Sequence, residues 1–347
     1  MTSTPRTRIR IAAVGLGWVS QNRHLPAISR SPEFELTGVI DSRPERAAAI
    51  AAKYRTRHVV ARRVEDVPWL ENVDAVVIGA PPGAHAELIR AALLSGKHVI
   101  TEKPFVLDAA DARPLSRLAH ERGCVLAIVH NFQFARSFLR LQADIAAGRL
   151  GAIRNIWALQ LSNPARRLPA WYGELPGGLF FDESPHLLYL VRRLLPDMVL
   201  AHARRTPSSN GATTPAEVYV QLRNDAGQTA TLLMNFEAAL SEWHVVVSGE
   251  RGTADVDIFR DIYHFAPNDG VHTARDILRT SFSAATSHLF GTVASGWLHV
   301  RSRLDYGNRE IFRRFADAIR TRTLQPEYIG SHEAVAVREL QQEILEA

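Results

Sequence analysis

The stretch RIRIAAVGLGWVSQNRHLPAI, residues 8–28, decides how this chain is read. Ile9 and the run Ile11–Val14 make an apolar segment of strand length, and a tight glycine turn follows it at Gly15 and Gly17. After the turn the pattern becomes helical, and Ser20 stands at the third small position of the motif. Each position has a physical reason. The first glycine makes the turn, the second lets backbone approach a pyrophosphate, and the third small residue lets helix pack on strand. Phosphates then sit at the helix N-terminus, where N–H groups and the helix dipole favour anions. Gly15, Gly17, Trp18 and Val19 are therefore candidate cofactor-contact residues.

A lone G-x-G is a weak signal, and its surroundings strengthen it. A second apolar strand, FELTGVI, ends at Asp41. A carboxylate at that strand end can accept hydrogen bonds from an adenosine ribose, which favours NAD. The sequence there reads Asp41-Ser42-Arg43, and Arg43 would suit a 2′-phosphate, so NADP stays open. The alternation then continues through helical RPERAAAIAAKY, a short strand near HVV, the strand VDAVVIGAPP and the helix AHAELIRAALLSG, closed by Gly96. KHVITEKPF and CVLAIVHN are further strands. Strands alternating with helices predict a parallel, doubly wound sheet, and such sheets bind ligands at the carboxyl ends of their strands. Gly15, Asp41, Ala80, Pro81, Glu102, Lys103, His130 and Asn131 all fall at those ends. His24 and His85 start helices beside the same edge, where packing or capping explains them equally well. His85 joins the candidate cofactor contacts.

Composition bounds the function. The chain has 347 residues, and 46% hydrophobic with 22% charged residues is ordinary for a globular protein. Its length suggests two domains, with a Rossmann dinucleotide-binding domain over 1–130 and a second domain over 131–347. The formal charge of +5 invites a nucleic-acid reading, but the 41 basic residues are interleaved with 36 acidic ones, and no basic run recurs with aromatics. A single cysteine, Cys124, excludes a disulfide framework within the chain and reads as a small buried strand residue. The 14 histidines show no metal-site spacing, so no metal is expected. The start MTSTPRTRIRI lacks the apolar core of a signal peptide, and no apolar run approaches the ~20 residues of a membrane span. The cytoplasm is the expected location, with neither nucleic acid nor membrane as partner. Only Lys53, Lys97 and Lys103 are lysines. Losing a proton is the main thing that arginine cannot do in a lysine's place.

Beyond residue 130 the pattern changes. LGAIRNIWALQL, AEVYVQLRN, QTATLLMNFE, EWHVVVSGE and GTADVDIF read as strands with hairpin-like turns such as NDAGQ. They predict an α+β domain with a large, mostly antiparallel sheet open on one face. Inside it lies FFDESPHLL, residues 180–188, with two carboxylates and a histidine in an oily passage. Pro185 suits the first position of a helix. Asp182 is then expected just before that helix and His186 in its first turn, where the dipole would hold the ring neutral. A capped helix is the plain explanation; acid–base chemistry is the other. SNPARRLPAWYGELPGG, just upstream, reads as a specificity loop. It holds Asn163, Arg166, Arg167, Trp171 and Tyr172. Residues 271–303 look helical, with a lid and an oligomer contact as the two roles open to them. Two amphipathic helices, NREIFRRFADAIR and HEAVAVRELQQEILEA, complete the chain given.

The pieces VGLGWVSQNRHLPA, VVIGAPPGAHAE, TEKPF, GRLGAIRNI and PGGLFFDESPH together resemble the glucose–fructose oxidoreductase / inositol dehydrogenase (Gfo/Idh/MocA) family in order and spacing. The resemblance spans roughly residues 9–200, and the final third matches only in general shape. It implies an NAD(P)-dependent oxidoreductase acting on a sugar, inositol or related polyol. Lys103, Asp182 and His186 match the family's catalytic positions, with the histidine as general acid/base and the other two assisting. The resemblance also implies a cis Lys103–Pro104 bond and a homodimer or homotetramer formed through the open sheet. The chain departs from the family pattern at Ser184, at Tyr189 and in HNFQF, close to where substrate hydroxyls would bind. Asn163, Arg166, Trp171, Tyr172 and Tyr189 are the candidate substrate residues. An NAD-dependent glycoside-cleaving enzyme and a non-catalytic dinucleotide sensor use the same fold and stay open as alternatives.

Overall fold

The computed structural model describes residues 7–301 and 304–347. The first six residues of the MTSTPR start, and residues 302–303 of the 271–303 segment, lie outside them. The chain forms two compact units. The first runs to Asn131 and takes in Asn308–Glu339; the second comprises Phe132–Gly307 and Leu340–Ala347.

In the first unit the elements alternate: β1 (Ile9–Val14), α1 (Leu25–Arg30), β2 (Phe34–Asp41), α2 (Pro44–Tyr54), β3 (Arg57–Val60), β4 (Ala75–Ile78), α3 (His85–Leu94), β5 (His98–Thr101), α4 (Ala109–Glu121) and β6 (Leu126–Ile128). All six strands are parallel, in the order β3-β2-β1-β4-β5-β6. β1 and β4 are apolar on both faces because helices cover both sides of a doubly wound sheet. Their core includes Val14, Ile40, Val76, Ile78, Val99 and Leu126. Gly96, at φ +69, closes α3 as the sequence suggests. Cys124 is buried just ahead of β6.

The second unit holds α5 (Arg136–Ala146), β7 (Ile153–Leu161), α6 (Leu179–Leu194), β8 (Val199–Thr206), β9 (Glu217–Arg223), β10 (Thr229–Asn235), β11 (Glu242–Gly249), β12 (Gly252–Asp257), β13 (Ile262–Pro267) and α7 (Ala274–Val300). Its sheet runs β13-β12-β11-β7-β10-β9-β8. Only the β7–β10 pairing is parallel, so the sheet is mostly antiparallel as expected. NDAGQ makes the β9–β10 hairpin, closed by the Gly227 N–H on the Asn224 carbonyl. Side chains of β9, β10 and β11 alternate between buried and half-buried, which leaves one face of the sheet open. Two strands escaped the sequence reading. β8, VLAHARRT, is a largely exposed edge rich in arginine, and β13 follows an irregular turn.

Residues 131–347 were expected to form one domain, yet α8 (Asn308–Thr321) and the first half of α9 (Ser331–Glu346) group with the first unit. α8 has a strongly apolar stripe. Phe312 and Phe315 lie against Phe34 of β2, and Phe312 also meets the ring of His24. The Ile128 N–H donates to the Ile329 carbonyl, so β6 gains a neighbour after the strand count is complete.

The larger correction concerns α6. Pro185 does not open the helix; it lies in the helix interior, and the cap is Gly178 at φ 57. Asp182 is therefore in the first turn, and His186 is a full turn further on. Proline lacks the N–H that would bond the carbonyl four residues back. That carbonyl belongs to Phe181, and the side-chain amide of Gln341 donates to it at 2.8 Å and to Ser184 Oγ at 2.8 Å. Both bonds are buried, so the missing donor is replaced from α9 and the helix continues. Gln341→Met is expected to lower stability by ~1–3 kcal/mol, the cost of an unsatisfied buried group. In a Pro185→Ala background the restored N–H should remove much of that loss. Equal losses in the two backgrounds, measured by denaturant unfolding, would refute the replacement.

Candidate functional site

The nucleotide-binding half is built from strand ends of the first unit. Gly15 follows β1 at φ +77, and a Cβ there would stand 2.6 Å from the Ala80 backbone nitrogen. The turn is thus pressed against the end of β4, and only glycine fits. At Gly17 a Cβ would meet only the Gly79 carbonyl, at 3.8 Å. The protein's own packing does not require that second glycine; a ligand approaching the backbone would. Helical backbone starts at Trp18, which is exposed, and continues through Val19 into a π-helical turn over Ser20–His24. Ser20 Oγ donates to the Gly15 carbonyl at 2.5 Å, so the third small position ties the helix to the turn. These features fit a dinucleotide pyrophosphate.

Asp41 ends β2 and is buried. One carboxylate oxygen accepts the Leu16 N–H at 2.7 Å, and the other accepts the Arg43 N–H at 2.9 Å. It braces the glycine turn from the next strand, while Arg46 approaches it at 3.4 Å. Ser42, Arg43 and Pro81 are exposed at the same edge. His85 is fully buried, with Nε2 2.9 Å from the Ala80 carbonyl and Nδ1 2.9 Å from the Pro104 carbonyl, so the neutral ring donates to one of the two in each tautomer. It clamps the turns after β4 and β5. Burial holds its pKa below the ordinary value, against the carbonyls that raise it. Glu102 meets His24 at 2.8 Å and accepts the Lys103 N–H at 3.1 Å, which ties the turn after β5 to the π-helical turn after β1. Burial raises the pKa of Glu102, but His24 and Lys103 outweigh that and hold it below the ordinary value. Lys103 is half-buried, and its bond to Pro104 is cis. Asn131 is buried beyond β6. Beside it, burial pushes His130 down to about 3, so this ring stays neutral.

The candidate acid–base residues Asp182 and His186 belong to the second unit. Asp182 and His186 are four residues apart on α6, one turn along the same face. His186 lies too far along the helix for the dipole to hold it neutral, as was expected of a first-turn residue. The ring has other neighbours instead. Its Nδ1 is 2.7 Å from Tyr189 Oη, and Tyr189 accepts the Phe132 N–H at 3.0 Å. Phe132 stacks 4.4 Å from the imidazole, Trp243 meets it edge-on at 5.3 Å, and Tyr306 lies 5.8 Å from Phe132. This aromatic wall was missed at the sequence level, although the period of β11 does place Trp243 on the inward face. Tyr189, a candidate substrate residue, is buried and orients His186.

The upstream loop shapes itself with several of its candidates. Asn163 donates to the Ala239 carbonyl at 2.8 Å and accepts the Ala165 N–H at 2.8 Å. Arg166 pairs with Glu183, a buried carboxylate on α6 that Gln160 and Ser162 also reach. Trp171 and Tyr172 are half-buried at a short 3-10 turn.

One further cluster lies on the sheet. Glu242, His244 and Asp257 place potential metal ligands within 4.8 Å of one another. The guanidinium of Arg260 already sits between the carboxylates, at 2.5 Å from Glu242 and 2.6 Å from Asp257. The Asp255 hydrogen bond raises His244 from 6.5 to about 9 against the opposing effect of burial. A raised pKa means that this ion pair stabilises fully below pH 6.5 and that its contribution is lost as pH rises through about 9. The stability gap between wild type and His244→Gln should therefore shrink across that window. A gap that stays constant in denaturant titrations would contradict the assignment.

The profile of the Gfo/Idh/MocA oxidoreductase family, NAD-binding Rossmann fold, matches residues 9–130, and that of the GFO/IDH/MocA C-terminal domain matches residues 138–255. An uncharacterized oxidoreductase, YdgJ of Escherichia coli, is 35% identical over 185 residues, covering 52% of this chain and 51% of that protein. A dTDP-3,4-didehydro-2,6-dideoxy-alpha-D-glucose 3-reductase of Streptomyces violaceoruber is 33% identical over 195 residues, 56% of each. The chain thus spans about half the length of these two relatives. The crystal structure of a dehydrogenase (MviM) from Clostridium difficile superposes with a TM-score of 0.77 at 16% identity, covering 98% of this chain and 99% of that one, a likeness of fold. With each unit carrying a match to one domain of a single family, the protein belongs to the Gfo/Idh/MocA oxidoreductases and contains their NAD-binding Rossmann domain.

Proposed function

We propose that the protein transfers a hydride between a nicotinamide dinucleotide and a secondary alcohol or ketone of a sugar, inositol or related polyol. The setting of His186 carries this reading: a titratable ring backed by a buried tyrosine hydroxyl and walled by aromatic side chains. The dinucleotide, when bound, accepts or delivers the hydride. The protein must move a proton at the reacting oxygen. His186 does so through Nε2. Its Nδ1 faces a hydroxyl, which can donate or accept, so Tyr189 suits either ring tautomer. In reduction the imidazolium keeps Nδ1–H on Tyr189 and gives its Nε2 proton to the carbonyl oxygen, which leaves a neutral ring. In oxidation Nδ1–H donates to Tyr189 and Nε2 takes the alcohol proton.

Asp182 stabilises the imidazolium formed during oxidation, and Lys103 hydrogen-bonds the same oxygen. The aromatic wall excludes water and offers flat apolar surface to the C–H face of a sugar ring. The 3-reductase relative, named for a dTDP-linked keto sugar, supports a sugar-type substrate. Asp41 at the ribose position favours NAD over NADP. A homodimer or homotetramer formed through the second unit's sheet belongs to the same reading, supported by its one open face.

Absorbance of reduced nicotinamide tests the proposal, with NAD or NADP and a panel of inositols, aldoses, amino sugars and nucleotide sugars. Turnover with one class is expected, with NAD preferred. His186→Ala should lower kcat by ~10²–10⁴-fold while leaving dinucleotide affinity within about twofold. Lys103→Met should lower kcat too, and the double variant should be little worse than the poorer single one, because groups acting at one oxygen are not additive. Tyr189→Phe should cost about tenfold or more in kcat and shift the pH profile, since Nδ1 loses its partner. Multiplicative losses for Lys103 and His186 would separate their roles. Glycoside cleavage without net cofactor change would replace the proposal.

A further inference from the structure

We propose that the outer face of α7 is buried against a second copy of this chain, where it packs across the open face of that copy's sheet. The inference rests on the sheet-mediated association above and assigns a helix to it. α7 inverts the usual pattern of a surface helix, which turns large apolar residues inward and polar residues outward. Its inward side is made of small residues. A Cβ at Gly291 would touch Ile262 of β13 at 3.0 Å, Ser287 Oγ lies 3.3 Å from His264 of β13, and Ser295 is buried. These three recur every four residues and define one face. Leu278, Phe282, Leu289, Val293 and Val300 fall on the opposite face, each more than 60% exposed, with Phe290 and Trp297 flanking them. No Asp, Glu, Lys or Arg occurs between Thr280 and Val300. Charge depletion with aromatic enrichment is the composition of an interface core.

The register shows which side of the sheet α7 borders. His264 pairs with Asp255, Asp255 with Val246, and Val246 with Trp157, so their side chains share one face. That is the open face, where Trp157 is 46% exposed. The apolar ridge of α7 stands beside the open sheet face, and a two-fold axis would set the ridge of each copy against the sheet of the other. The sheet face also displays Gln221, Thr231, Ser248 and the His244–Asp255 pair. The acyl region of a bilayer, which would have to take the apolar ridge, offers those groups no hydrogen-bond partner, whereas a protein face offers both kinds of contact, which favours a second copy. The area suffices. A 27-residue helix is ~40 Å long and ~10 Å wide, and seven strands span ~30 Å by ~20 Å, giving roughly 1,000 Å² per copy against the ~800 Å² of a standard interface.

Sedimentation velocity on the full chain tests this, with Phe282→Glu/Leu289→Glu on the helix and Trp157→Glu on the sheet as variants. Wild type is expected to sediment as a dimer or tetramer, and each variant to raise the dissociation constant at least tenfold while far-UV circular dichroism and NADH binding stay unchanged. Leu289→Gln, a milder change, should raise it measurably if the charged variant misfolds. A helix variant that keeps the wild-type assembly overturns the role of α7. If Trp157→Glu alone dissociates the protein, association through the sheet survives that failure. A monomeric wild type overturns both, and its co-sedimentation with phosphatidylserine vesicles would assign the face to lipid instead.

Discussion

The side-chain amide of Gln341 provides the donor that Pro185 cannot, and α6 runs unbroken because it does. The placing of Asp182, His186 and Tyr189 depends on that continuity. Three residues separate His186 from Tyr189, a spacing that brings side chains together only on intact helix. Asp182 and His186 share a face for the same reason. A helix beginning at Pro185 would have left Asp182 in a loop, aimed elsewhere. The arrangement is a buried polar network: Gln341 Nε2 donates to Phe181 and Ser184, Glu183 pairs with Arg166, and Tyr189 accepts from Phe132. Networks of this kind favour one geometry because any shift exposes an unpaired group.

The nucleotide-binding half follows a different logic. There the strand ends are locked to each other through turn residues. Asp41 holds the glycine turn, His85 joins the turns after β4 and β5, and Glu102 pairs with His24. Several side chains that read as ligand contacts are also what gives the edge its shape. Asp41 cannot be replaced to alter cofactor preference without loosening the Leu16 backbone.

Much of this was legible in the sequence. The G-x-G turn, the alternation of strands and helices, and the period-two strands of the second half rest on local pattern, and those elements form where the pattern places them. Pro185 was misread because proline at the first helical position is the local rule, and its exception requires Gln341, a residue far away in sequence. The aromatic wall was hidden for the same reason: Phe132, Trp243 and Tyr306 come from three segments that only the folded chain assembles. Trp171 and Tyr172 drew the reading because they lie next to the helix in sequence. β8 was hidden by being an edge strand, where arginines replace the alternation that marks a half-buried one.

The return of α8 and half of α9 to the first unit has a consequence for biosynthesis. Neither unit is continuous in the chain. A polypeptide leaving the ribosome presents all six strands of the parallel sheet long before Phe312, Phe315 and Ile329 emerge to complete their surroundings. The second unit is made in the interval. Synthesis at ~5–20 residues per second leaves the early sheet incomplete for roughly ten seconds or more. Such an intermediate exposes apolar surface around Phe34, and exposed surface of that kind makes incomplete chains prone to aggregate.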